Sequence, residues 1–292
     1  MRTTINSGDS LTESPDRGSH YAKAKQKLRS MLPQALLNWR EARYFGKYGE
    51  VEMHLLEFLC RRDQDAIDVG ANYGGYVHFM RRYARRVFAY EAMPELAQLL
   101  RRKFPRDVIV ESTALSDNVG DGQLYMPVID GVMVVGCSTV STEASGVYEA
   151  NRVTRVRLDR LDNVYTGIAG FIKIDVEGHE QAVLNGAVET IGRCLPRILV
   201  EVDERLAPGG LVRAKQFFAK LGYHGYYAHA GRLENIEQFS LANMQNPLNL
   251  PKMAAALHER PQLESYINNF IFLPPNEPGE TPRRINERLA QL

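Results

Sequence analysis

Residues 171–180 of this 292-residue chain read Phe-Ile-Lys-Ile-Asp-Val-Glu-Gly-His-Glu. The mainly apolar run at its start is typical of a buried strand, and it ends abruptly in ionisable side chains and a glycine. In an open parallel sheet, ligands bind outside the carboxyl ends of the strands. The stretch therefore predicts one edge of a ligand site in an α/β protein.

The strand within this stretch carries an unusual lysine. Side chains alternate in direction along a strand, so Phe171, Lys173 and Asp175 share one face. A lysine inside a buried strand is unfavourable unless it is paired. We expect its partner to be one of three carboxylates: Asp68, Glu201 or Asp203.

Strand and helix patterns alternate on both sides of the stretch. Strands are predicted at residues 66–70, 87–91, 108–110, 171–175, 197–203, 223–227 and 269–273. Helices are predicted at residues 74–86, 94–104, 181–191 and 211–221. This alternation indicates a mostly parallel sheet with right-handed crossovers.

Residues 112–159 interrupt the alternation. Turn residues follow Asp117, and residues 123–128 and 153–158 have the composition of two additional strands. Between these strands, residues 131–146 are predicted to form a mobile loop. Long loops inside compact domains are often functional.

The chain is expected to divide into four parts. Residues 1–20 are polar and lack apolar periodicity, which predicts a disordered tail. Residues 21–65 have helical spacing and predict a helical extension. Residues 66–273 predict the α/β domain, and the proline-containing residues 274–292 predict a C-terminal tail.

A glycine-containing turn follows the first strand, from Asp68 to Gly74. A dinucleotide site needs a glycine where Asn72 stands, because the backbone there approaches a pyrophosphate, so the sequence argues against NAD. A sulfonium nucleoside has no phosphates, and Asp68 and Asn72 suit its ammonium and carboxylate groups. Glu91 ends the next strand, where its carboxylate can accept both ribose hydroxyls.

Residues 112–117 follow the third strand and are placed to flank an adenine ring. Ser116 or Asp117 is a candidate for a hydrogen bond to the exocyclic amine of that ring. Ordinary turn chemistry explains these residues almost as well.

Composition and charge exclude some classes of partner and location for this protein. The net charge is +1, which gives no argument for nucleic acid or an anionic membrane as partner. Cys60, Cys137 and Cys194 are scattered, which predicts buried free thiols in a reducing compartment. The sequence contains no apolar run of the about 18 residues that a membrane helix needs and no secretory h-region. We therefore expect a cytoplasmic protein, whose oligomeric state stays open.

Several strings of this sequence together resemble the FkbM-type methyltransferase family: residues 67–74, 91–94, 114–117, 156–161, 172–180 and 198–201. The string from Lys173 to Glu180 is the most specific of them. The resemblance implies a class I, Rossmann-like fold with a seven-stranded sheet whose last strand is antiparallel. It also implies S-adenosylmethionine as methyl donor and O-methylation of a hydroxyl on a sugar, polyketide or similar small molecule.

Carried over residue by residue, the resemblance implies a set of cofactor contacts: Asp68, Gly70, Ala71, Asn72, Gly74, Glu91, Ala92, Ala114, Leu115 and Asp175. An acceptor hydroxyl is a poor nucleophile, so a base should take its proton during attack. His179 is a natural candidate, since histidine has an ordinary pKa of about 6.5. Glu180 is the preferred candidate, because it belongs to the family string, whereas the residue before it varies. Asp175 is the third candidate base, provided that burial raises its pKa.

A divalent cation offers a second route to an activated hydroxyl. Asp175, Glu177 and Glu201 end neighbouring strands of the predicted sheet. Carboxylate oxygens suit magnesium, so these three residues are candidate ligands for an optional Mg²⁺.

Two other functions are kept as alternatives. A non-catalytic module that binds S-adenosylmethionine would keep Asp68 and Glu91 but lose the acids near residue 175. A nucleic-acid methyltransferase would need the arginines of residues 81–86 and 101–106 to line the cleft. Solvated outer helix faces are the favoured position for those arginines.

Overall fold

The computed structural model describes residues 34–129, 131–249, 266–277 and 279–292. The chain divides into two units, residues 1–40 and residues 41–292. The described part of the first unit is the start of helix α1 (Gln34–Tyr48), which continues into the second. The tail predicted at residues 1–20 and the first part of the extension lie outside the described residues.

The remaining elements belong to the second unit. Its helices are α2 (Leu56–Leu59), α3 (Gly75–Tyr83), α4 (Pro94–Lys103), α5 (Thr142–Ser145), α6 (Leu161–Val164), α7 (Glu180–Asn185), α8 (Val188–Cys194), α9 (Gly210–Lys220), α10 (Leu241–Met244) and α11 (Glu280–Leu289). Short 3₁₀ turns lie at Val51–Leu55, Val135–Cys137, Ile236–Gln238 and Pro247–Asn249. The strands are β1 (Asp65–Val69), β2 (Val87–Tyr90), β3 (Val108–Glu111), β4 (Ala114–Leu115), β5 (Gly120–Ile129), β6 (Val132–Met133), β7 (Asn151–Asp159), β8 (Ala169–Ile174), β9 (Arg197–Glu201), β10 (His224–His229), β11 (Arg232–Asn235) and β12 (Asn269–Leu273).

The central sheet confirms the predicted α/β fold but has eight strands instead of seven. Their order is β11-β10-β12-β9-β8-β1-β2-β3, with β3, β2, β1, β8 and β9 parallel and β12 antiparallel to β9. The additional strand, β11, pairs with β10 across a tight turn in which Ala230 and Gly231 both have positive φ. Alanine rarely adopts that conformation, so the sequence lacks the usual hairpin signal there.

The segment that interrupts the alternation forms a second sheet, in the order β4-β7-β5-β6. Our prediction of a plain loop at residues 131–146 is wrong, because the segment contains β6, a 3₁₀ turn and α5. Local polar contacts explain this order. Thr139 bridges to Tyr125, and the Ser141 hydroxyl accepts the Ala144 amide at 3.1 Å at the start of α5.

Two further predictions are corrected. The single helix expected at residues 181–191 is divided into α7 and α8, since the Asp162 carboxylate accepts the amides of Glu189 and Thr190 and starts a new helix there. The tail expected at residues 274–292 contains α11, in which Ile285 and Leu289 are buried. The preceding prolines masked the helical spacing of these two residues.

The two faces of the central sheet carry separate cores. On one face, aliphatic residues of β1, β8 and β9 pack against α7, α8 and α9. On the other face, the sheet packs against the 3₁₀ turn at Val51–Leu55 and against α2, α3 and α11. The carboxyl ends of β1, β2 and β8 are therefore held rigidly side by side.

Candidate active site

A cleft opens at the carboxyl ends of β1, β2 and β8, where the sequence predicted a ligand site. It holds about 590 Å³ of space, part of which is open to solvent. The predicted site residues that line it are Gly70, Asn72, Glu91, Ala92, Ala114, Leu115, Asp175, Glu177 and His179. Thr113, from the segment predicted to flank an adenine ring, also lines it. Prediction from sequence missed other lining residues: Val69, Tyr90, Leu96, Leu124, Val135, Gly136, Ser138, Val140 and Val176.

The glycine turn and the acid-rich stretch touch each other through their backbones. Gly70 has φ +82°, and a Cβ atom there would lie 1.8 Å from the Asp175 carbonyl oxygen. The Asp175 amide donates to the Val69 carbonyl at 3.0 Å. Only glycine fits at residue 70, because a side chain would separate the two strand ends.

Glu91 holds the glycine turn from the side of β2. Its carboxylate accepts the amides of Asn72 at 2.7 Å and of Met93 at 2.8 Å. Burial raises the pKa of Glu91 to about 7, against the opposing effect of these two hydrogen bonds. The side-chain oxygen of Asn72 is buried and has no hydrogen-bond partner among the described residues.

Asp68 lies beneath the cleft and is not among the described residues that line it. Its side chain is fully buried, and neither carboxylate oxygen has a hydrogen-bond partner in the described part of the chain. It stands beside Lys173 in the register of β1 and β8. Burial raises the pKa of Asp68 to about 6, although the Lys173 charge opposes that shift.

The wall after β3 is largely apolar. Thr113, Ala114 and Leu115 form one part of it, and Leu96, Leu124, Val135 and Val140 complete it. Several of these residues come from the excursion between β4 and β7. The alternation of buried Leu124 and Met126 in β5 was the available signal, but it did not show which cavity β5 would face.

The partner of Lys173 differs from all three that we predicted. Its ammonium donates to Asp175 on the same strand at 2.7 Å and lies 4.5 Å from the centre of the Tyr76 ring. Burial alone would lower the pKa of Lys173, but the charges of Asp175, Asp68 and Glu50 outweigh it and raise that pKa. The lysine is therefore a permanent cation next to Asp175.

The three candidate metal ligands come together. Asp175, Glu177 and Glu201 each place a carboxylate oxygen within 4.8 Å of the others. Burial and the charge of Asp175 raise the pKa values of Glu177 and Glu201 well above the ordinary range. Asn268 donates to Glu201 at 2.5 Å, which fixes one edge of the group.

Glu180 and His179 occupy different environments. The Glu180 carboxylate is buried, accepts the Gly178 amide at 2.8 Å, and is not among the described side chains that line the cleft. Burial raises the pKa of Glu180 to about 7. His179 lines the cleft, its Nε2 lies 3.0 Å from the Ser116 hydroxyl, and burial lowers its pKa.

A model of the methyltransferase FkbM domain matches residues 68–226, more than half of the chain. The chain belongs to the FkbM methyltransferase family. All the residues that line the cleft fall within the matched range, whereas α1, α2 and β12 lie outside it. The matched residues therefore form a methyltransferase FkbM domain.

Solved structures similar to this FkbM methyltransferase are distant in sequence. The FkbM methyltransferase of Methylobacillus flagellatus KT is 14% identical, with a TM-score of 0.44, over 73% of this chain and 44% of that one. An rRNA methylase from Streptococcus thermophilus is 7% identical, with a TM-score of 0.41, over 76% of this chain and 93% of that one. This chain thus spans less than half of the M. flagellatus protein. A search of curated proteins found no match.

The described residues of this FkbM methyltransferase contain no helix that is long and apolar enough to cross a membrane.

Proposed function

We propose that this FkbM methyltransferase is an O-methyltransferase acting on a hydroxyl of a small molecule or saccharide. The observation that carries the proposal is the Lys173–Asp175 pair, which places a fixed carboxylate at the wall of the cofactor cleft. An O-methyltransferase needs such a group, since it must align an acceptor hydroxyl with the methyl group and handle its proton.

The donor side of the cleft suits S-adenosylmethionine. Glu91 lines the cleft, where its carboxylate is our candidate acceptor for the ribose hydroxyls, and the apolar wall after β3 suits the adenine ring. The unpartnered oxygen of Asn72 is available to a polar group of the cofactor. Asp68 acts from beneath, through its charge.

The acceptor side offers two groups at the cleft wall for the hydroxyl proton. Asp175 is held by Lys173, and His179 remains a neutral imidazole at pH 7 because its pKa is lowered. Glu180 supports this edge by holding the Gly178 amide. We therefore assign the direct role to Asp175 or His179 and a supporting role to Glu180.

Incubation with methyl-labelled S-adenosylmethionine and a panel of hydroxyl compounds, followed by mass spectrometry, tests the proposal. We expect label on an oxygen atom of at least one acceptor. Asp175→Asn should reduce turnover by about a hundredfold or more, the usual scale of a lost acid–base group. The exposed Glu149→Gln serves as a matched control and should leave turnover unchanged. Cofactor binding without any transfer would favour the non-catalytic module, and label on nitrogen would overturn O-methylation.

We also propose that Asp175, Glu177 and Glu201 bind Mg²⁺ as part of this function. Three carboxylate oxygens within 4.8 Å of one another suit the ion, because opposite ligands of magnesium are about 4 Å apart. The ion would supply Lewis acidity at the acceptor hydroxyl. Calorimetric titration of Mg²⁺ should show binding that Glu201→Gln weakens. Activity that is undiminished in excess EDTA would overturn this part.

A further inference from the structure

A largely buried polar cluster joins α1, α3 and α4 beside the glycine turn that follows β1. Lys103 of α4 forms an ion pair with Glu41 of α1. His78 of α3 lies beside them, with its Nε2 at 3.6 Å from the Glu41 carboxylate. The side chains of Lys103 and His78 are each only 4% exposed. A buried lysine needs such a partner, because burying an unpaired ammonium group costs free energy.

This cluster reaches the loop that carries the cofactor residues. The Lys103 ammonium donates to the backbone carbonyl of Tyr73 at 2.6 Å. The next residue, Phe104, packs on Gly74, where a Cβ atom would lie 2.8 Å from its ring. The end of α4 thus holds the last two residues of the loop.

The first part of the loop is held from the opposite side. The amides of Gly70 and Ala71 donate to the Tyr90 carbonyl at 3.0 and 3.1 Å. The Asn72 amide donates to Glu91 at 2.7 Å. The loop therefore has one anchor on β2 and a second on Lys103.

Glu41 is the charge that makes the second anchor permanent. Burial alone would raise its pKa, but the neighbouring His78 ring and Lys103 ammonium lower it to about 2. Glu41 is therefore ionised at any ordinary pH. It also lies outside the residues 68–226 that the family model matches.

We propose that Lys103 is a positioning residue for the cofactor, held by Glu41, and that the middle of α1 is thereby a functional part of the cofactor site. Lys103 fixes the Tyr73 carbonyl and so keeps the neighbouring Asn72 amide against Glu91. The inference rests on the proposed function only for the identity of the cofactor. It extends the site to a helix outside the matched domain.

The test is calorimetric binding of S-adenosylhomocysteine to the full chain. Lys103→Met should raise the dissociation constant about tenfold, the scale of one lost hydrogen bond to a charged group. Lys103→Arg should restore most of the affinity, because it keeps both a cation and a donor. Hydrogen exchange in the ligand-free Lys103→Met protein should accelerate at the amides of residues 70–74.

The exposed ion pair of Lys215 and Glu237, 2.8 Å apart, supplies the matched control. Lys215→Met should change neither affinity nor loop exchange. If Lys103→Met does not fold, Glu41→Gln, which preserves shape, should still weaken binding and accelerate exchange in the loop. Wild-type affinity and exchange in the folded variants would overturn the inference. Failure of the wild-type protein to bind would instead contradict the assigned cofactor.

Discussion

The same three strands present two very different faces. On one face of β1, β8 and β9, every core residue is aliphatic: Ile67, Val69, Ile172, Ile174, Ile198 and Val200. On the other face, each strand carries both an apolar and a charged residue: Ala66 and Asp68 on β1, Phe171 and Lys173 on β8, and Leu199 and Glu201 on β9. Because side chains alternate in direction along a strand, one face of the sheet carries only apolar side chains and the other carries charged side chains as well.

The difference shows how the fold accommodates buried charge. The aliphatic face is stabilised by removal of apolar surface from water. The charged face carries unpartnered oxygens at Asp68 and raised pKa values at Glu177 and Glu201, and Lys173 lies among these acids. Strongly shifted carboxylates beside a cleft are typical of functional sites. We therefore expect substitutions on the two faces to behave differently.

The largest expected effect is that of Lys173→Met. Removing one partner of a buried ion pair destabilises a protein by about 3–5 kcal/mol. Ile172→Val, one residue away on the aliphatic face, should reduce stability by only about 0.5–1.5 kcal/mol. Urea unfolding of both variants measures the contrast. Equal losses would mean that the charged face is only a packing surface.

The second effect is the pH dependence of stability through Asp68. Its pKa is raised in the folded protein from 3.8 to about 6, so the folded state binds the proton more tightly than the unfolded chain. This stabilisation is present below the ordinary pKa and is lost as pH rises through 6, by about 3 kcal/mol in total. Asp68→Asn should remove this part of the pH dependence. Ile198→Val, on the aliphatic face, should leave it intact, and an unchanged slope in Asp68→Asn would contradict the assignment.

The smallest effect concerns cofactor affinity through Glu91. Its pKa of about 7 means that the carboxylate becomes fully ionised only above neutral pH. The ionised form accepts ribose hydroxyls best, so S-adenosylhomocysteine should bind about tenfold more tightly at pH 8 than at pH 6. Calorimetry at the two pH values measures this, with Glu91→Gln as the control that lacks the titration. Equal pH profiles for the two proteins would rule out Glu91 as the ribose acid.

Much of the site was readable from the order of residues. Spacing and strand period alone gave three conclusions. Asn72 argues against a dinucleotide site, Glu91 ends the second strand, and Asp175 lies at the end of β8. All three residues line the cleft. Glu180 shows the limit of such reasoning, because its place in a family string did not reveal that its carboxylate faces the Gly178 amide.

The contribution of distant segments to the site could not be predicted from the sequence. The β5–β7 excursion closes the apolar wall, and Glu41 reaches Lys103 across 62 positions of sequence, yet neither segment carries a motif. The partner of Lys173 was missed for a related reason. Its ammonium bonds to Asp175, two residues further along the chain, rather than to an acid of a neighbouring strand.

The sequence by itself determined the strand that ends at residue 175, the glycine turn beside it and the family. These depend on local period and on residue types that only a few backbone conformations accept. Only the tertiary structure decided which charges meet, which acids are buried and which loop closes the cleft. Burial and pairing depend on what the rest of the chain places across the sheet, and they set the pKa values and positions on which the chemistry depends.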